Sequence, residues 1–69
     1  MKLVINGEST EVATPESLFD LVVNHLQYPD ESGRYIVAVN SELVTKDRWT
    51  DVALKDNDLV DILGVITGG

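Results

Sequence analysis

The chain has 69 residues, 43% of them hydrophobic, and no cysteine. Its core must therefore hold by apolar packing alone, with no disulfide or thiolate metal site as a staple. Twelve acidic residues against 5 basic ones give a net charge of -7, which argues against nucleic-acid backbones and anionic membranes and favours steering towards a basic partner surface.

Met1-Lys2 leads into Leu3-Val4-Ile5 and then Asn6-Gly7-Glu8. That apolar run is far too short for a signal peptide or a membrane span, so a cytoplasmic protein is expected. Lys2 to Asn6 reads as a strand, Asn6-Gly7 as a tight turn, and Ser9 to Val12 as its antiparallel return. Asn-Gly between short strands is a strong hairpin signal, because both residues accept positive φ.

The period then changes. Thr14-Pro15-Glu16 reads as an N-cap, a first helical residue and an acid that complements the helix dipole. Leu18, Leu21, Val22 and Leu26 follow on one helical face, with Glu16, Asp20, Asn24 and Gln27 opposite. The helix is expected over Pro15 to Leu26, ending at Tyr28-Pro29, because the residue before a proline is pushed out of the α region. Pro29 to Arg34 is a polar loop. Tyr35-Ile36-Val37-Ala38-Val39 is a near-continuous apolar run, which predicts a central strand covered on both sides or nearly so.

Asn40-Ser41 makes a second turn, and Glu42-Leu43-Val44 a short return strand. Thr45 to Asp51 is a connector around Trp49, expected as one turn of irregular helix. Lys55-Asp56-Asn57-Asp58 is a third turn, releasing Leu59 to Leu63 as the last strand. Hairpin, helix, hairpin, strand predicts an α+β fold in which a mixed five-stranded sheet packs on one helix. The domain is expected to span residues 1–63, with residues 64–69 as a flexible diglycine tail.

Alternation assigns the faces. Asp61 points outward, so Val60 and Ile62 turn inward and Leu59 and Leu63 lie on the open face. In the first strand Leu3 and Ile5 go inward and Val4 outward. If the two strands are neighbours, Val4, Leu59 and Leu63 form an apolar patch, a candidate docking surface in so acidic a protein.

Catalytic chemistry is hard to find. No thiol exists, and His25 is the single histidine, so no two-histidine metal site can form in one chain. Ser17, Asp20 and His25 could be named as a triad, but no glycine-rich elbow surrounds the serine, and His25 reads as a partly exposed helix residue. Asp56 and Asp58 read as turn chemistry, and Trp49 as a packed aromatic. Gly7, Gly33 and Gly64 stand alone, so there is no phosphate loop. No catalytic residues and no metal ligands are assigned, and the chain is not expected to be an enzyme.

What remains is Gly64-Val65-Ile66-Thr67-Gly68-Gly69. With glycine at ~7% of residues, two in the last positions arise by chance about once in two hundred chains. Six extended residues reach roughly 20 Å. Two glycines make a tip narrow enough for an active-site channel. A terminal carboxylate is ionised at neutral pH and can attack phosphorus.

Several segments together carry a resemblance: Asn6-Gly7-Glu8, Glu16-Ser17-Leu18, Val37-Ala38-Val39-Asn40, Glu42-Leu43-Val44, Arg48-Trp49, Leu54-Lys55-Asp56-x-Asp58 and Gly68-Gly69. In this order and spacing the chain resembles the sulfur carriers of the β-grasp, ubiquitin-like superfamily, most closely the ThiS family of thiamine biosynthesis, over nearly its whole length. It departs from them at Ser41, where glycine usually follows the asparagine. It departs again at Thr45-Lys46, in place of a proline-basic pair, and in a longer loop from Gln27 to Arg34. The resemblance implies that Gly69 is the adenylated, sulfur-bearing terminus and Gly68 its narrow approach. A ThiF-like adenylyltransferase of the ubiquitin-activating type would use ATP and Mg²⁺, with no cofactor of the carrier's own. A persulfide would donate sulfur to give a thiocarboxylate, and a ThiG-like thiazole synthase would take it. A sister carrier, such as the small subunit of molybdopterin synthase or one serving another thiolation route, shares that chemistry. A plain β-grasp binding module does not, and would survive loss of Gly68-Gly69.

Overall fold

The computed structural model describes residues 1–28 and 35–64. Five strands, β1 (Lys2–Ile5), β2 (Glu8–Glu11), β3 (Tyr35–Val39), β4 (Glu42–Val44) and β5 (Leu59–Gly64), form one sheet in the order β2-β1-β5-β3-β4. β1 and β5 run parallel and the other pairs are antiparallel. This is the expected mixed sheet of a β-grasp domain, with β5 at its centre.

The turns follow from the residues that make them. Asn6 and Gly7 have φ of 51° and 83°, and Asn40 and Ser41 have φ of 51° and 72°. These are the left-handed pairs that close two-residue hairpins without splaying the strands. Ser41 occupies a conformation that costs an ordinary L-residue ~1–2 kcal/mol, of which glycine gives back roughly 0.5–1 kcal/mol as lost chain entropy. Ser41→Gly is therefore expected to stabilise the domain by about 0.5–1 kcal/mol, a rise of roughly 3–6 °C in Tm for a chain of this size. A melting curve of the variant checks it.

The helical segment differs from the expected α-helix over Pro15 to Leu26. It opens at Leu18 and continues as a π-helix, α1 (Asp20–His25). Thr14 is not the cap. Ser17 Oγ accepts from the Asp20 N–H at 3.2 Å, and Asp20 Oδ2 accepts from the Glu16 N–H at 3.0 Å, a reciprocal box placed three residues later. The Leu18 N–H, otherwise an orphan of the first turn, donates to the Val52 carbonyl at 2.9 Å. Pro15 is buried ahead of the helix. The exit also differs: Gln27, with φ of 60°, turns the chain before the proline can. The Tyr28 N–H then caps the Val22 carbonyl at 3.0 Å.

Leu18, Leu21 and Val22 are fully buried, and they meet Leu3, Ile5, Val37, Val60 and Ile62 from the sheet. The alternation assigned to β1 and β5 holds. Trp49, on the 3₁₀ helix Lys46–Asp51, closes one end of this core. Its ring stacks on Tyr35 at 5.8 Å and its Nε1–H donates to the Val44 carbonyl at 3.0 Å. A buried indole with its one donor satisfied is packing rather than a ligand platform.

Two further expectations change. β3 is covered on one face only, since Ile36 is 45% exposed while Tyr35 and Val37 are buried. β5 runs on to Gly64, opposite Tyr35, so the sheet takes one residue assigned to the tail. The remainder of that tail, Gly68 and Gly69 included, and the loop residues 29–34 lie outside the described residues.

Candidate functional site

The open face of the sheet is built by the register of its central strands. Val4 of β1 stands beside Leu59 of β5, and Leu63 of β5 stands opposite Ile36 of β3. Because side chains alternate along a strand, Leu59, Asp61 and Leu63 all leave β5 on the face away from α1. Leu59 is 45% exposed and Leu63 59%, while Val4 is half-buried beside Leu59. The three docking residues expected from the sequence therefore share one face, with Val4 the least open of them.

Sequence reasoning left two members of that face unassigned. Ile36 is one, and Leu43 of β4, 67% exposed, is the other. Leu43 lies opposite Ala38, and Ala38 lies opposite Asp61. The alternation of β3 would have found Ile36 once its register with β5 was known; its own apolar run gives no such signal. Beside these residues a groove of about 240 Å³, lined by Ile36, Leu43, Val44 and Trp49 among others, opens at the β3–β4 end.

Two asparagines hold β5 in place. Asn6 Oδ1 accepts from the Ile62 N–H at 2.7 Å, and Asn40 Oδ1 accepts from the Leu59 N–H at 3.0 Å. Asn40 Nδ2 also donates to Asp58 Oδ1 at 3.1 Å, while Asp58 Oδ2 accepts from the Lys55 N–H at 2.8 Å. Asp56 Oδ1 accepts from the Lys2 N–H at 3.0 Å. Asp56 and Asp58 are thus turn chemistry, and they fix the point at which β5 begins.

Ser17, Asp20 and His25 come together, but as a helix cap. The π turn sets residue i+5 beside residue i, so His25 Nε2 lies 3.2 Å from Asp20 Oδ2. Ser17 Oγ is engaged with the Asp20 N–H, and no hydrogen bond joins Ser17 to His25. That order lacks the nucleophile-to-base contact of a triad. The Asn24 amide first, then the Glu16 N–H, hold the Asp20 carboxyl below the usual carboxylate range; His25 adds a smaller pull and desolvation opposes it. Asp20 therefore stabilises the helix start above the ordinary carboxylate pKa, and this contribution is lost as pH falls through its lowered value.

Among the described residues no three His, Asp or Glu side chains are placed to hold a metal ion. No helix among them is long and apolar enough to cross a membrane. What the described chain presents is an apolar sheet face with an acidic residue in it, ending at Gly64 with the diglycine segment still to follow.

No curated protein matches the chain. Among solved structures, the thiamine biosynthesis protein ThiS from Geobacter metallireducens is similar to it, with 27% sequence identity, a TM-score of 0.77 and 100% of both chains covered. The ThiS family model matches residues 3–69, which takes in every strand described above from Leu3 onward and both terminal glycines. With that match spanning almost the whole sequence, the chain belongs to the ThiS family.

Proposed function

We propose that this protein is a sulfur carrier for the thiazole moiety of thiamine, loaded at the carboxylate of Gly69. The observation that carries the reading is the family match, which runs through Gly68-Gly69 in a chain with no cysteine. Without a thiol, transferable sulfur has one place to be held covalently, the carboxyl end.

The chemistry follows from that group. A carboxylate oxygen attacks the α-phosphorus of ATP, pyrophosphate leaves, and the carbonyl becomes electrophilic as an acyl-adenylate. The outer sulfur of a persulfide attacks that carbonyl and AMP departs. A thiol reductant then cleaves the resulting acyl disulfide, leaving a thiocarboxylate for a thiazole synthase to accept. The nucleotide and Mg²⁺ belong to the adenylyltransferase, and the carrier supplies a reach, a narrow tip and a docking face.

The intact mass of the protein from its native cell tests this reading. A population heavier by the exchange of one oxygen for sulfur is expected, and fragmentation should place the exchange at Gly69. A wholly unmodified population in cells making thiamine would speak for a binding module.

Val4, Leu59 and Leu63 are proposed as the surface on which the adenylyltransferase docks. Leu59→Asp puts a charge into that surface without touching the core, because Leu59 faces solvent. Affinity for the enzyme is expected to fall by about tenfold or more, the order seen when an interface contact worth over 1 kcal/mol is lost. Calorimetric titration reads the affinity, and a melting curve close to that of the unmodified protein confirms that the fold remains.

A further inference from the structure

Within the apolar part of the open face Asp61 is the charged residue, while Lys2 and Glu11 share that face at its β1–β2 edge. Asp61 lies between Leu59 and Leu63 on the same face of β5, so each leucine is two residues from it along the strand. Its neighbour across the pairing on β3 is Ala38, and beyond Ala38 on β4 is Leu43. Ile36 stands across from Leu63. Asp61 is exposed, and its carboxylate makes no hydrogen bond or ion pair to any described residue. Asp56 and Asp58, by contrast, are both occupied in the turn.

We infer that Asp61 selects the partner of this face: a protein surface whose apolar patch carries one arginine, which pairs with the Asp61 carboxylate across Ala38. The inference rests on the open face being the docking surface. No partner can cover both Leu59 and Leu63 without also covering the residue between them. A wholly apolar partner would strip water from the carboxylate and return nothing, which is strongly unfavourable. A cation of matching position removes that penalty and rejects partners that lack it.

Arginine fits better than lysine. Its planar guanidinium is weakly hydrated and can meet a carboxylate with two parallel hydrogen bonds. The methyl of Ala38 leaves a low place beside Asp61 where such a plane can lie, between the taller Leu43 and Leu63. The chain's net charge of -7 steers a basic surface towards it before contact.

The test uses the full-length carrier and the purified adenylyltransferase of the same cell, with ATP–pyrophosphate exchange measured against carrier concentration. Asp61→Asn is expected to raise the half-saturating concentration roughly tenfold and Asp61→Lys about 30-fold or more, with the maximal rate unchanged, as befits lost docking. Raising the salt is expected to weaken docking of the unmodified carrier more steeply than that of Asp61→Asn. Melting curves near that of the unmodified protein confirm that both variants are folded. Unaltered half-saturation and salt dependence in Asp61→Lys, with exchange intact, overturn this inference and leave the carrier reading standing. Absence of exchange with the unmodified carrier overturns that reading, and this inference with it.

Discussion

Deleting Gly69 is expected to abolish activation, with ATP–pyrophosphate exchange falling about 100-fold or more, the cost of misplacing a reacting group by ångströms. Removing the last residue draws the carboxylate back by roughly 3.5 Å, out of line with the α-phosphorus. Gly68→Val keeps the carboxylate where it was but adds a branched side chain beside it. In a channel that admits bare backbone, that is expected to cost nearly as much. Neither change touches the described sheet, whose pairing ends at Gly64 opposite Tyr35, so the melting temperature is expected to stay within a degree or so of the unmodified value. Near-normal exchange by the Gly69-deleted protein would remove the carrier reading. Loss of exchange with a large drop in Tm would instead show that the last residues are part of the fold.

The parts of this structure that the sequence made legible are those in which one periodicity acts alone. Leu3 and Ile5 against Val4, and Val60 and Ile62 against Leu59, Asp61 and Leu63, alternate cleanly, and their faces follow. β3 gave no alternation to read. Five apolar residues in a row look the same whether a strand is covered on both faces or has one face open, and Ile36 is open.

At the helix start the sequence pointed to Thr14-Pro15, whereas the structure places the cap at Ser17 and Asp20. The Leu18 N–H goes to the Val52 carbonyl, a partner far along the chain that no local pattern announces. The π turn was not legible at all, because its signature is the approach of Asp20 to His25, a spacing that no α-helical wheel favours. Nor were the second roles of Asn6 and Asn40. Both read as turn formers from their neighbours, yet each also binds β5, which lies far along the chain.

Asn40 carries the largest expected effect on stability, because one residue there does three things. It holds a left-handed φ of 51° in the β3–β4 turn. Its side chain joins the Leu59 N–H and the Asp58 carboxylate, and its own N–H donates to the Leu59 carbonyl at 2.7 Å. Asn40→Ala loses both side-chain bonds, about 0.5–1.5 kcal/mol for the neutral one and more for the one to a carboxylate. It also pays part of the ~1–2 kcal/mol left-handed penalty that asparagine largely escapes. Exposure of these bonds to water lowers the sum, which leaves about 2–3 kcal/mol. A domain of this size holds roughly 3–10 kcal/mol in all, so Tm is expected to fall by about 10–20 °C. Asn40→Gly separates the contributions. It keeps the turn and loses only the side-chain bonds, so about half the loss is expected. Asn40→Asp keeps an acceptor for the Leu59 N–H but sets a second carboxylate against Asp58, so its loss should shrink as salt is added. If Asn40→Gly and Asn40→Asp melt like the unmodified protein and Asn40→Ala alone falls, Asn40 is a turn former only and the start of β5 is held by the Lys55–Asp58 turn. If they separate as expected, the residue that closes the second hairpin also holds the strand bearing Leu59, Asp61 and Leu63. Asn40→Ala is then expected to weaken docking even at temperatures where the domain remains folded.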